Sequence, residues 1–220
     1  MKFTLIYDGP LPAGRSRRAE YAAKIRNVLH LQMRDLWDNH VILRQLARTA
    51  RTVPNPGAGY YAPREPIWSR DRLPEYNDPI PPVRDGQTDF CAPINIPDAG
   101  PFLPLVRRSL YLACAVDILF LRHEEPFQLF EASGDIDNRL KCFFDALTMP
   151  NREQAAAGEP PCEAPLCCPL EDDKLISDFS IRTGRLLGKF EKDAHDVRVQ
   201  ADITVKVMRV MDQNLCLVGD

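Results

Sequence analysis

Between Leu110 and Arg122 both halves of an alternating pattern are apolar. Leu110, Leu112, Cys114, Val116, Ile118 and Phe120 fall on one side; Tyr111, Ala113, Ala115, Leu119 and Leu121, interrupted by Asp117, fall on the other. A strand that hides both faces belongs inside a covered sheet, so this segment predicts the central strand of a layered fold.

The remaining segments supply layers for it. Phe3 to Tyr7 reads as a first strand, stopped by Asp8, Gly9, Pro10 and Pro12. From about Ser16, Tyr21, Ile25, Val28, Leu29, Leu36 and Trp37 recur at helical steps, and Val41 to Arg51 predicts a second helical piece. Asp137 to Leu147 reads as a helix, Leu175 to Ile181 as a strand, and Val197 to Val207 alternates as a strand with one face on a core. The order predicts an α/β (α+β) fold, a mixed sheet with two or more helices packed on it. At 220 residues, 45% hydrophobic, one domain spanning residues 1–220 is expected. Two segments interrupt the pattern. Twelve of the 20 prolines lie between Thr52 and Pro104, with Tyr60, Tyr61, Trp68, Tyr76 and Phe90, and predict an ordered proline-rich arm over about 52–104. Residues 149–169 read as a loop insertion.

The net charge of −3 marks no general polyanion binder, but it is unevenly spread. Residues 1–72 carry 13 basic against 6 acidic side chains, and residues 73–220 carry 15 against 25. A local anion-binding surface in the basic part therefore remains open. Seven cysteines without a CxxC pair, and no secretory signal, predict a reduced, cytoplasmic protein. The longest apolar stretch, Leu110 to Leu121, is too short to span a membrane. Gly9, Gly14, Gly57 and Gly59 form neither a Walker loop nor a dinucleotide fingerprint, so no nucleotide cofactor is expected. Cys162, Cys167 and Cys168 lack a zinc-ligand spacing.

The chemistry-bearing residues lie in Gly134-Asp135-Ile136-Asp137-Asn138-Arg139-Leu140-Lys141, in Asp145-Ala146-Leu147, and in Glu171-Asp172-Asp173. On an extended backbone Asp135 and Asp137 point to one side. From Asp137 a helix carries Lys141 and Asp145 onto one stripe. Such carboxylates repel unless a cation joins them, and oxygen ligands select Mg²⁺ or Mn²⁺. Asp172 and Asp173 add carboxylates from a second element, as metal-assisted phosphodiester hydrolysis requires. The same residues also suit a plainer arrangement: Asp137 as a helix cap, Asp135 and Asp172 in turns, Lys141 with Asp145 as an exposed pair.

This pattern, with Gly9-Pro10-Leu11-Pro12 after the first strand as a weaker echo, resembles the motifs of RusA-type Holliday junction resolvases over about Gly134 to Ile181. The resemblance implies a small α/β endodeoxyribonuclease that acts as a homodimer on branched DNA with Mg²⁺, or Mn²⁺. It implies Asp135, Asp137 and Asp173 as essential carboxylates, Lys141 as the catalytic lysine, and Asp172 as a neighbour in the site. Two departures bear on substrate choice: the proline-rich arm with the 149–169 insertion, and Phe130-Glu131-Ala132-Ser133-Gly134 where such enzymes often present basic residues. Arg15, Arg17, Arg18, Lys24 and Arg26 near the first helix, with Arg139 in the motif, are candidate phosphate contacts; a solvated helix face explains the first group equally well. The rival expectations are the same chemistry on flaps, forks or single strands, and a non-catalytic DNA-binding scaffold on the same fold.

Overall fold

The computed structural model describes residues 1–11, 17–50, 62–63, 91–123, 136–158, 160–187, 196–210 and 214–218. The architecture is mixed α+β, as expected. β1 (Lys2–Pro10), β6 (Leu112–Arg122), β8 (Ile176–Arg185) and β9 (Asp196–Val207) form one sheet in the order β1-β9-β6-β8. β9 runs antiparallel to both β1 and β6, while β8 runs parallel to β6. A second sheet has the order β4-β5-β7, from β4 (Ile94–Ile96), β5 (Gly100–Val106) and β7 (Leu166–Leu170). A two-residue ladder joins β2 (Thr49–Ala50) to β3 (Ala62–Pro63).

The helices are α1 (Arg18–Asn39), α2 (Val41–Arg48), α3 (Ile136–Leu147) and α4 (Arg152–Ala157). α1 buries Ile25, Leu29, Met33 and Trp37 at the helical spacing that predicted it. These side chains share one core with Leu5 of β1, Val116, Ile118 and Phe120 of β6, Val199, Ala201 and Ile203 of β9, and Cys142, Phe143 and Ala146 of α3. Polar groups fix what that core leaves free to slide. The Gln32 side-chain amide takes both free backbone groups of Ile6: it accepts from the N–H at 2.9 Å and donates to the carbonyl at 2.7 Å. Buried His30 accepts at Nδ1 from the Cys167 N–H at 2.9 Å and meets Glu163 through Nε2, and Arg34 closes an ion pair on the same carboxylate. α1 is thereby tied to β1 on one side and to β7 on the other.

Three expectations are corrected. The central strand is not covered on both faces. Leu112, Cys114, Val116, Ile118 and Phe120 are buried, whereas Asp117 is exposed and Leu119 and Leu121 are half-buried. The register explains this, because Asp117 faces Asp202 of β9 and Ser180 of β8, which leaves a polar stripe in the middle of the outer face. Ser180 donates to Asp117, and Thr4 donates to Asp202 at 2.7 Å. The segment 149–169 is not simply a loop: Asn151 and Gln154 form a reciprocal capping box that starts α4, and β7 begins at Leu166. The proline-rich arm ends in sheet, since β4 and β5 form a hairpin turning at Asp98 (φ 67°) and Gly100 (φ 90°). Residues 51–61 and 64–90 of that arm lie outside the described residues.

Phe120 is fully buried at the centre of the sheet. Phe120→Ala is expected to cost about 3–5 kcal/mol of unfolding free energy, read by urea denaturation with an unchanged slope.

Candidate active site

Four elements meet around an open cavity of about 670 Å³. The first turn of α1 brings Arg18 and Ala19; α3 brings Asn138, Lys141, Phe144 and Asp145; α4 brings Glu153 and Gln154; the turn before β8 brings Asp173. Two cations and three carboxylates thus share one wall. Of the expected residues, Lys141 and Asp173 line the cavity directly. Asp137 stands in the first turn of α3, where unpaired amides favour a carboxylate, and it forms an ion pair with Lys141 one turn on. Asp172 adjoins Asp173 and accepts from the Lys174 N–H at 3.0 Å. Asp135 and Arg15 lie outside the described residues.

Of the stripe Asp137, Lys141 and Asp145, the first two form an ion pair and the last two line the cavity together. Each four-residue step turns a position by roughly 40°, so two steps displace Asp145 by roughly 80° from Asp137. That rotation carries it toward α1, where Arg18 Nε lies 2.8 Å from its carboxylate. The chain end of α3 is fixed from the same side. Buried Arg26 donates through Nε to the Thr148 carbonyl at 2.8 Å and through Nη2 to the Asp145 carbonyl. Arg26 is therefore a cap for the last turn of α3 and not a phosphate contact.

The DNA-contact expectation is corrected a second time at Arg139. It is 3% exposed on the inward face of α3 and cannot reach a phosphate on the surface. Periodicity places it there, three residues before Cys142 and four before Phe143, both of which are buried. Arg17 and Lys24 remain on the outer face of α1, stacked 5.8 Å and 5.6 Å from the Tyr21 ring centroid. Lys24 also pairs with Glu20 at 2.7 Å. Arg18 points to the cavity, which the sequence reading placed only on the first helix.

Electrostatics set the carboxylates apart. A hydrogen bond shared with Asp172 pushes the Asp173 carboxyl up, and burial and the charges of Asp172 and Asp145 push the same way. Asp172 is held down, chiefly by the Lys174 amide. Burial pushes Asp145 up against the opposing pull of Arg18 and Gln154. Asn138 and Phe144 belong to the motif but carried no assigned role, and Glu153 and Gln154 were not singled out from sequence. The signal for the last two was present in Asn151-Arg152-Glu153-Gln154, a helix-start pattern inside a segment read as loop.

The donor set suits a hard divalent cation. Among the described residues, no group of three or more His, Cys, Asp or Glu side chains is placed to hold a metal ion. Mg²⁺ does not require one, because it is commonly held by one or two carboxylates, water and substrate phosphate. Asp172 and Asp173, whose mutual repulsion a cation would relieve, fit that mode of binding. Of the three cysteines in this region, Cys162 is exposed, while Cys167 and Cys168 are buried neighbours on β7. Compared with protein-family models, curated proteins and solved structures, the chain matches none of them.

The folded chain holds Asp173 above its unfolded value, so ionising it opposes folding. That penalty is absent at low pH, where the group is protonated in both states, and is complete once pH passes the raised value. Asp173→Asn, which keeps a donor for Asp172, is expected to raise Tm at about pH 7 and to leave it unchanged near pH 3. Calorimetry of the two proteins across that range checks the sign.

Proposed function

We propose that the chain is a Mg²⁺-dependent endodeoxyribonuclease that hydrolyses phosphodiester bonds in branched DNA. The observation that carries this reading is the cavity wall on which Asp173 and Asp145 sit beside Lys141 and Arg18. Carboxylates that repel one another next to exposed cations are suited to a cation and a phosphate together, and the motif resemblance directs that chemistry to DNA.

Asp172 and Asp173 would hold the metal ion, joined by Asp135 and Asp137 as the resemblance implies. The ion supplies an activated water and neutralises charge on the attacked phosphate. Lys141 binds a non-bridging phosphate oxygen through Nζ. Asp137 holds that ammonium at the cavity rim until phosphate competes for it. Arg18, already engaged by Asp145, contributes a second positive group and keeps the α1 turn against α3. Arg17 and Lys24 extend a cationic surface along α1, along which a neighbouring duplex arm would lie.

Labelled four-way junction DNA, a flap and a linear duplex, each with and without Mg²⁺, separate the possibilities. Metal-dependent nicking of the junction is expected, reduced by at least about a hundredfold in Asp173→Asn and in Asp137→Asn. Mg²⁺ should raise the Tm of the wild type and shift Asp173→Asn less. Preference for the flap would keep the chemistry and change the substrate. Junction binding with no nicking by the wild type, in either Mg²⁺ or Mn²⁺, would overturn the reading in favour of a DNA-binding scaffold.

A further inference from the structure

At the end of the main sheet where β6 begins, five large apolar side chains stand in solvent: Tyr111, Met208, Val210, Leu215 and Val218. Backbone contacts draw the segments that carry them together. The Met208 N–H donates to the Tyr111 carbonyl at 2.9 Å. The side-chain amide of fully buried Asn214 donates to the Leu110 carbonyl at 2.7 Å and to the Arg209 carbonyl at 2.8 Å. Exposed apolar surface gathered in one place is the mark of a binding surface.

Tyr111 is held there at a cost. It follows the short turn Arg108–Leu110 in the left-handed conformation, φ 50° and ψ 41°, which glycine or asparagine adopts readily and a bulky side chain does not. Leu110 and Leu112 on either side of it are buried, yet Tyr111 is 45% exposed. The strained backbone therefore presents the ring instead of burying it, and such strain clusters where ligands are met. The Arg209 guanidinium lies 5.4 Å from the ring centroid, a cation stacked on the aromatic face.

The rim of this surface is cationic. Arg108 and Arg209 are exposed and take no ion pair among the described residues. Lys206, two residues before Met208, donates to the Ser177 hydroxyl at 3.3 Å. The Arg108 N–H donates to the Glu171 carboxylate at 2.9 Å, and Glu171 stands two residues before Asp173 of the cavity. Ring and cavity thus share one end of the sheet.

We propose that Tyr111 and Arg209 form a platform on which an unpaired base of a single-stranded nucleic acid stacks, with Arg108 and Lys206 meeting the phosphates on either side. A base offers a flat face to the ring, and its backbone offers anions to the rim, so one ligand uses the ring plane and the cations at once. An acidic peptide segment would match the cations and the apolar side chains but does not call for a ring plane. The inference stands on the surface around Tyr111 and holds whether or not the cavity cuts DNA.

Fluorescein-labelled oligo(dT) of about ten nucleotides, followed by anisotropy without divalent metal so that no strand is cut, reads the platform directly. The full chain is expected to bind it, less tightly as salt rises. Tyr111→Ala and Tyr111→Leu should each weaken binding about tenfold, whereas Tyr111→Phe, which keeps the ring, should bind as the wild type does. Arg209→Ala should also weaken it. Tyr111→Trp, which places an indole on the platform, should lose emission as unlabelled oligo(dT) is added, measured against the same titration of the wild type. Circular dichroism identifies any variant that fails to fold, and the wild type with Arg209→Ala then carries the test. A wild type that does not bind oligo(dT) would overturn the proposal in favour of an acidic protein segment as the occupant. A folded Tyr111→Leu protein that binds undiminished, or a Tyr111→Trp emission that the strand leaves unchanged, would overturn it as well. Nicking of a junction by a chain that fails these tests would leave the reading of the cavity intact.

Discussion

Everything else in the molecule is positioned by α1 lying across the sheet. Its apolar stripe supplies the adhesion, but apolar contact alone allows sliding and rotation. The polar contacts remove that freedom, and each meets backbone or charge that burial would otherwise leave at a cost. Gln32 engages Ile6 of β1, His30 receives the Cys167 amide of β7, and Arg26 closes the last carbonyls of α3. A 22-residue helix is about 33 Å long, enough to reach all three. Its first turn then ends at the cavity, with Arg18 on Asp145.

That placement explains why the cavity has mixed charge. The cations come from helix positions that keep long side chains extended along the surface, while Asp173 comes from a short turn between two strands. Burial of Asp145 against α1 pushes its carboxyl up, and the hydrogen bond with Asp172 pushes Asp173 up, with Asp145 adding a lesser push of the same sign. Such a site works against the fold at neutral pH and is kept in shape by the helix packing around it.

What could be read from the amino acids depended on how each element signals itself. β6, β9, α1 and α3 announce themselves by period, because each has a buried face longer than any competing pattern. Lys141 and Asp173 stood out for a different reason: their motif resembles that of a nuclease family, since spacing alone suits caps and turns equally, and the fold brings the two to one cavity. The failures also have physical causes. Asp117 was a single polar residue in an apolar row, and only its register against Asp202 and Ser180 shows that the face is open. β7 is five residues long and carries Pro169; β5 carries Pro101 and Pro104; neither shows a period. Arg26 and Arg139 were read as surface cations because their charge outweighs their position, although both stand on the buried stripe of a helix. Arg18 was assigned to the correct helix but to no partner, since its contact with Asp145 spans most of the chain.

The pairing of β1 with β9 bears on the order of events as the chain is made. Among the described strands β1 has one neighbour, and that neighbour is encoded nearly two hundred residues later, with Phe3 opposite Ile203. At ribosomal rates of about 5–20 residues per second, this leaves roughly ten to forty seconds during which β1 has emerged and β9 has not. Contacts so distant in sequence carry a large loop-closure entropy and form late. α1 can meanwhile shelter the apolar side of β1 while Gln32 holds Ile6 from the opposite edge to the one β9 will take. β1, made early, would then be completed late, when β9 arrives to pair with it.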